Sequence, residues 1–302
     1  MVGSHFMAIF TIAGLTIREA ARRRTLPGIL LLGMLVLGMS LLLYVIRRHM
    51  EHLVAIGVQP ETWMNLQLPF AQSAIMSLCL SCIKALGAIV GALVAGGSIS
   101  SEIDRGVLAA VVPRPIPRSA IVLGKWLGNI TIATGASLIW SAILFASMTV
   151  QLNSCQWSLL IAGIALAVYP VLTCSLALML STVAPRLLGA LITLEVCAIS
   201  WFDGILSWLG SMYSVPLLHK LAILCGLLLP QGYVGYWVDS AVRREIILPD
   251  DGPRSGWKSP QYLNHIGSRL FDTTHLDALY VTLYITTALA LAVVLFNRRD
   301  IN

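Results

Sequence analysis

Six runs of about twenty apolar residues, set apart by polar segments, constrain this chain more than any other feature. A helix needs about 20 apolar residues to cross a hydrocarbon core of about 30 Å, and inside that core a helix satisfies its own backbone. The runs are residues 26–46, 70–97, 126–148, 157–181, 187–209 and 278–296. They predict an all-α integral membrane protein with about six transmembrane helices and no soluble second domain. Composition agrees. Of 302 residues, 57% are hydrophobic and 11% charged, against roughly 25% charged in a soluble domain. Too few polar groups exist to cover a soluble fold, which excludes a soluble enzyme, a disordered chain and a nucleic-acid-binding domain. No basic stretch is interleaved with aromatics, so no nucleic-acid partner is expected.

Leu217 to Leu229 is apolar over thirteen residues, carries His219 and Lys220, and stops at Pro230. That is short for a span and fits a re-entrant or interfacial helix. With both termini cytoplasmic, the inner segments hold eleven basic residues and four acidic ones, whereas the outer segments hold eight of each. The positive-inside rule thus predicts an even number of spans in a cell (inner or plasma) membrane, with residues 213–277 as a long extracytoplasmic segment. Residues 1–25 lack the continuous apolar core of a signal peptide, so no cleavable leader is expected. The apolar segment 7–24 ends in Arg22-Arg23-Arg24. It reads as an interfacial helix with its arginines among anionic headgroups, or as a plain positive stop before the first span.

The loop 98–120 is the most informative stretch. Ser101 is placed to cap a short helix whose first turn holds Glu102 and Asp104, beside the positive end of the helix dipole. Gly106 is able to end that turn, and Pro113, Pro115 and Pro117 then enforce an extended segment. A short rigid helix between two spans, facing the cytoplasm, suits the receipt of force from another protein.

At these residues the sequence resembles the permease subunits of ABC-2 exporters. In that family the first cytoplasmic loop carries a Glu, a Gly-Thr-Leu, an Arg-Pro, a further Arg and a Gly-Lys. The chain supplies Glu102, Gly106, Leu108, Arg114, Pro115, Arg118, Gly124 and Lys125 in that order, and departs at Val107 and in the extra Pro113 and Pro117. The basic N-terminal helix, six spans, long outer segment between the fifth and sixth spans and terminal Phe296-Asn297-Arg298-Arg299-Asp300 are also similar to the family. The resemblance implies a permease subunit that moves a substrate outward. It pairs with a second copy or a related subunit and is driven by a separate soluble ATPase that binds ATP and Mg²⁺. It places coupling to that ATPase on Glu102, Asp104, Arg105, Gly106, Leu108, Arg114, Pro115 and Arg118. The chain itself carries no P-loop, since Gly124-Lys125 is followed by Trp126. No enzymatic activity and no cofactor are expected in it.

Lys84, Glu195 and Asp203 lie inside spans, where a charge costs roughly 2.5–3.5 kcal/mol on insertion scales unless protein or water shields it. A structural ion pair of Lys84 with Glu195 or Asp203, a polar translocation path, and a displaced span boundary are the alternatives. An ion-coupled secondary transporter using these three residues as a relay is the competing function, although no inverted repeat is evident. An intramembrane enzyme lacks any recognisable motif. Gly87, Gly91 and Ala95, and likewise Gly124 and Gly128, recur every fourth residue and permit close helix packing, within the chain or between subunits. Cys79 and Cys82 form one CxxC pair inside an apolar run. With no second pair they read as small packing residues, and no metal site is expected.

Overall fold

A computed structural model describes residues 2–22, 25–57, 61–104, 117–152, 155, 157–228, 230–243 and 274–298. These residues are almost wholly helical and contain no strand, giving an all-α membrane protein. The helices are α1 (Val2–Arg22), α2 (Thr25–Ala55), α3 (Glu61–Ala95), α4 (Ser100–Asp104), α5 (Arg118–Leu152), α6 (Trp157–Leu166), α7 (Val168–Ser181), α8 (Arg186–Met212), α9 (Pro216–Leu228), α10 (Gln231–Arg243) and α11 (Thr274–Arg298). Among the described residues five stretches are long and apolar enough to cross a membrane: Pro27–Ala55, Leu78–Ile103, Arg118–Gln151, Trp157–Ser181 and Asp277–Arg298. The sixth expected run, 187–209, lies within α8, whose 27 residues extend about 40 Å at 1.5 Å per residue.

Helix directions follow from the contacts. Ile12 of α1 faces Gly124 of α5, and Thr16 faces Gly128. Gly33 of α2 faces Trp140, and the Ser40 carbonyl accepts from Gln151 Nε2 at 3.0 Å. Hence α1, α2 and α5 run side by side in one direction. At the end where α5 begins, Arg186 lies over Gly97 and Ala190 against Gly96. Trp126 Nε1 donates to Ser175 Oγ at 2.9 Å. One side of the bundle therefore gathers the starts of α5 and α8, the ends of α3, α7 and α11, and the helix α4. We call it the loop side.

The run 157–181 forms two helices, broken at Ala167. Pro170 is the cause, because its ring lacks an N–H and crowds the carbonyl one turn back. Ahead of the break the Ala167 N–H still reaches both the Gly163 and Ile164 carbonyls, at 3.1 and 3.2 Å. After α8 the chain reverses through Ser214, which adopts a left-handed φ of 55°. It returns along α8 as α9, where Ser200 Oγ donates to the Cys225 carbonyl at 3.2 Å. At about 20 Å for 13 residues, α9 is too short to cross, and α10 leads back out. The apolar thirteen-residue segment is thus one arm of a helical hairpin that enters from the side opposite the loop. Its tip is fixed inside the bundle. Tyr169 Oη donates to Gln231 Oε1 at 2.8 Å and accepts from Trp201 Nε1 at 3.0 Å.

The core has two parts. Around fully buried Trp140 pack Val36, Ile83, Leu144 and Met148, and beneath the hairpin Tyr169 packs with Leu172, Cys197, Tyr233 and Val281. At the end away from the loop, Arg47 joins α2 to α5. Its Nε donates to Glu51 at 2.9 Å and its Nη1 to the Gln151 carbonyl at 2.7 Å.

Candidate functional site on the loop side

Helix α4 is five residues long and hangs from the end of α3 by backbone bonds. The Ser98 N–H donates to the Ala95 carbonyl at 3.1 Å, and the N–H groups of Glu102 and Ile103 both reach the Ile99 carbonyl at 3.1 Å. Ile99 is fully buried and Ile103 packs against the main core, so the helix is anchored by its apolar side. The expected capping by Ser101 is corrected. The helix opens at Ser100, and Ser101 sits in its first turn with its N–H bonded to the Gly97 carbonyl at 3.2 Å. The continuous turn from Gly96 to Ile99 supplies the backbone acceptors a side-chain cap would otherwise replace.

Glu102 does not simply project from this helix. Its carboxylate accepts a hydrogen bond from the Lys125 ammonium as an ion pair. The Lys125 side chain is 8% exposed and that of Glu102 22%. The motif's first acid and its last base are therefore one unit, which closes the loop at its root. A second tie comes from Arg118, whose Nη1 donates to the Asn297 carbonyl at 3.1 Å and the Phe296 carbonyl at 3.4 Å. Its guanidinium lies 6.0 Å from the Phe296 ring centroid. Arg118 thus supplies a cation and a donor to the C-terminal carbonyls of α11, where the helix dipole is negative. Asp104 ends α4. Arg105, Gly106, Val107, Leu108, Arg114 and Pro115 lie outside the described residues.

The glycines at fourfold spacing all face helices of the same chain. A Cβ on Gly124 would come within 2.7 Å of Ile12 Cβ, and one on Gly128 within 2.7 Å of Thr16 Cβ. A Cβ on Gly87 would meet Ser137 Oγ at 2.9 Å and Pro170 Cγ at 3.1 Å, and Gly91 abuts Thr173. The segment 7–24 therefore has a seat on α5 besides any headgroup contact.

The charges within the spans separate. Lys84 is half-buried, with Nζ 5.3 Å from the Tyr169 ring centroid, inside the range of a cation–π contact. Glu195 lies exposed on α8, on the same face as exposed Leu188, Leu191 and Ile199. The side chain of Asp203 lies outside the described residues. The expected pairing of Lys84 with Glu195 therefore receives no support, because one turns into the bundle and the other out of it. Of the cysteines, Cys79, Cys174 and Cys197 are buried. Among the described residues no group of metal-ligating side chains occurs. Sequence reading missed the Tyr169–Gln231–Trp201 knot and the buried Asn129, neither of which has a spacing signal.

No curated protein matches the chain. The family described as ABC-2 family transporter protein matches residues 10–301. That span takes in the part of α1 seated on α5, the ion-paired loop and the final helix, and with the membrane-length helices it settles the family. The chain belongs to the ABC-2 transporter family, as a multi-pass permease subunit of an ABC transporter.

Proposed function

We propose that this permease works as the membrane half of an exporter, moving its substrate with ATP hydrolysed by a separate soluble subunit. One observation carries the reading. The short helix α4 is clamped to the bundle by the Glu102–Lys125 pair, so a push on the loop is delivered to α3 and α5 rather than absorbed. The ATPase docks on α4 and the segment 105–118. The loop side is cytoplasmic, both termini lie there, and α8 supplies a sixth crossing while the α9–α10 hairpin does not cross.

A second permease copy or related subunit covers α8. Its exposed face carries Glu195 among leucines and isoleucines, and a carboxylate in the span is expensive against lipid. The ion-coupled alternative draws no support from Lys84, which packs on Tyr169, or from Glu195 on the outer face.

The test is purification of the tagged chain from its own membrane with its ATP-binding-cassette partner, followed by reconstitution in vesicles. Transport-coupled ATP hydrolysis is expected only when both are present. Replacing Glu102 by Lys is expected to lose coupling, and the exchange Glu102→Lys with Lys125→Glu to regain part of it. ATPase coupling that survives Glu102→Lys unchanged overturns the role given to this loop.

A further inference from the structure

On the loop side a cavity of about 1110 Å³ opens between α1, α2, α3, α5 and the start of α8. Its lining is graded along α3, α5 and α8. On α5, Lys125 and Asn129 come first and Ile132 lies deeper; on α8, Arg186 precedes Leu191. Glu102 leads to Leu93 on the α3 side, and Glu19 of α1 to Ile29 and Leu32 of α2. The mouth is thus polar and the interior apolar, with the change made within two or three helical turns. A soluble polar solute matches only the mouth, and a pure hydrocarbon only the interior.

Asn129 gives the second observation. Its side chain is 1% exposed, lines the cavity, and has neither Nδ2 nor Oδ1 hydrogen-bonded. A buried amide with both ends unmade is unfavourable, because each group has given up water without gaining a partner. An occupant that offers an acceptor and a donor at that depth would satisfy it. The charges lining the cavity are two cations, Lys125 and Arg186, and two anions, Glu19 and Glu102, of which Lys125 and Glu102 are already ion-paired. They favour a head that carries both signs and no net charge.

We infer that this cavity is a lipid site, holding one phospholipid with a zwitterionic head from the leaflet on the loop side. Its acyl chains lie along Leu32, Leu93 and Ile132. Its phosphate and ester oxygens accept from Asn129 Nδ2 and approach Arg186. Its ammonium donates to Asn129 Oδ1 and faces the acidic side of the mouth. The inference requires the chain to be in a membrane but not the ATPase or the direction of transport.

The test uses the full chain, purified, stripped of lipid in detergent and titrated with dioleoyl phosphatidylethanolamine or dioleoyl phosphatidylglycerol, with native mass spectrometry to count bound lipid. One phosphatidylethanolamine per chain is expected to saturate, with phosphatidylglycerol at least about fivefold weaker. Asn129→Leu and Leu32→Trp should each weaken phosphatidylethanolamine about tenfold or more, whereas Ile161→Trp on the exposed face of α6 should leave it unchanged. Should Asn129→Leu not yield a monodisperse protein, Asn129→Ala makes the same measurement without added bulk. Unsaturable binding, or equal binding by wild type and both cavity variants, overturns the site and leaves annular lipid only. Equal affinity for the two lipids overturns the zwitterionic head. None of these outcomes touches the ATPase coupling above, which is read separately.

Discussion

Lys125 and Glu102 stand 23 residues apart in sequence yet meet as an ion pair at the root of the loop, with the lysine almost wholly enclosed. Removing one partner of an enclosed pair leaves an unmatched charge, a loss of about 3–5 kcal/mol when both are fully buried. Glu102 keeps some access to water, which screens part of this. We expect Lys125→Met to lower stability by about 2–4 kcal/mol and Glu102→Gln by less. The double variant should recover part of the loss. A double-mutant cycle on unfolding in detergent reads the coupling directly, and additive losses would remove the pair from the account.

The seat of α1 gives a second expectation. Gly128→Val would drive a side chain into Thr16 Cβ and the Ala13 carbonyl, 2.7 and 3.0 Å from the new Cβ. Overpacking of this kind destabilises by about 1–3 kcal/mol, and here the relief is to lift α1 off α5. Labelling of Ala13→Cys, on the buried face of α1, should quicken, whereas Thr11→Cys, exposed at its edge, should label readily with or without the change. Gly135→Ala is the matched control. Nothing lies within 4 Å of its new Cβ, so it should be neutral or stabilising by up to about 1 kcal/mol. If Gly128→Val leaves Ala13→Cys protected, the close approach of α1 is wrong.

How much of this was legible in the sequence depends on range. The all-α membrane class, with five membrane-length apolar helices, and the family showed in run lengths and in a loop motif, because lipid demands long apolar runs and the motif is local. Gly124 and Gly128 advertised a close approach by their spacing, but not which helix would take it, since every span is apolar on all sides. The Glu102–Lys125 pair was hidden although both residues stood in the motif. The sequence shows order along the loop, not its closure. Lys84 was expected to seek a carboxylate. Its Nζ lies 5.3 Å from the Tyr169 ring centroid, and an aromatic partner has no charge for a sequence to display; the side chain of Asp203, the other expected partner, lies outside the described residues. Asn129 is one polar residue in an apolar helix and had no signal at all.

Arg118 is expected to hold the end of the last helix. Arg118→Ala removes donors to the Phe296 and Asn297 carbonyls and a cation beside the helix C-terminus, together about 1–2 kcal/mol. Amide hydrogen exchange should rise in the final turn of α11, with the start of the helix near Tyr280 unchanged. Arg118→Lys keeps the charge but not the planar fork and should fall between the two. Exchange that does not change in the last turn would show that other contacts fix it.

Tyr169 should matter for the hairpin rather than for the spans. Tyr169→Phe deletes one hydroxyl that donates to Gln231 and accepts from Trp201. It leaves two polar groups unmatched in an apolar setting, at about 1–3 kcal/mol for each group left buried. Faster exchange at residues 231–238, with α5 unaffected, is the expected pattern. A uniform loss across the bundle would instead mean that Tyr169 supports the whole core.

Glu195 separates a lipid-facing from a subunit-facing α8. Its neighbours on that face, Leu188, Leu191 and Ile199, are 49%, 56% and 42% exposed, so the chain alone does not cover them. If lipid faced this surface, Glu195→Leu would improve insertion, since a carboxylate in the span is unfavourable by roughly 2.5–3.5 kcal/mol on insertion scales. If another subunit covers it, Glu195 has its partner there, and the same change should reduce assembly while the separated chain inserts normally. Disulfide trapping through Ile199→Cys, on the part of this face away from the cavity, distinguishes one kind of neighbour. A cross-linked band of twice the chain's mass indicates two copies, and a heavier or lighter product a related subunit. Better yield from Glu195→Leu with no cross-link at Ile199 would place lipid on α8 and move the subunit contact elsewhere.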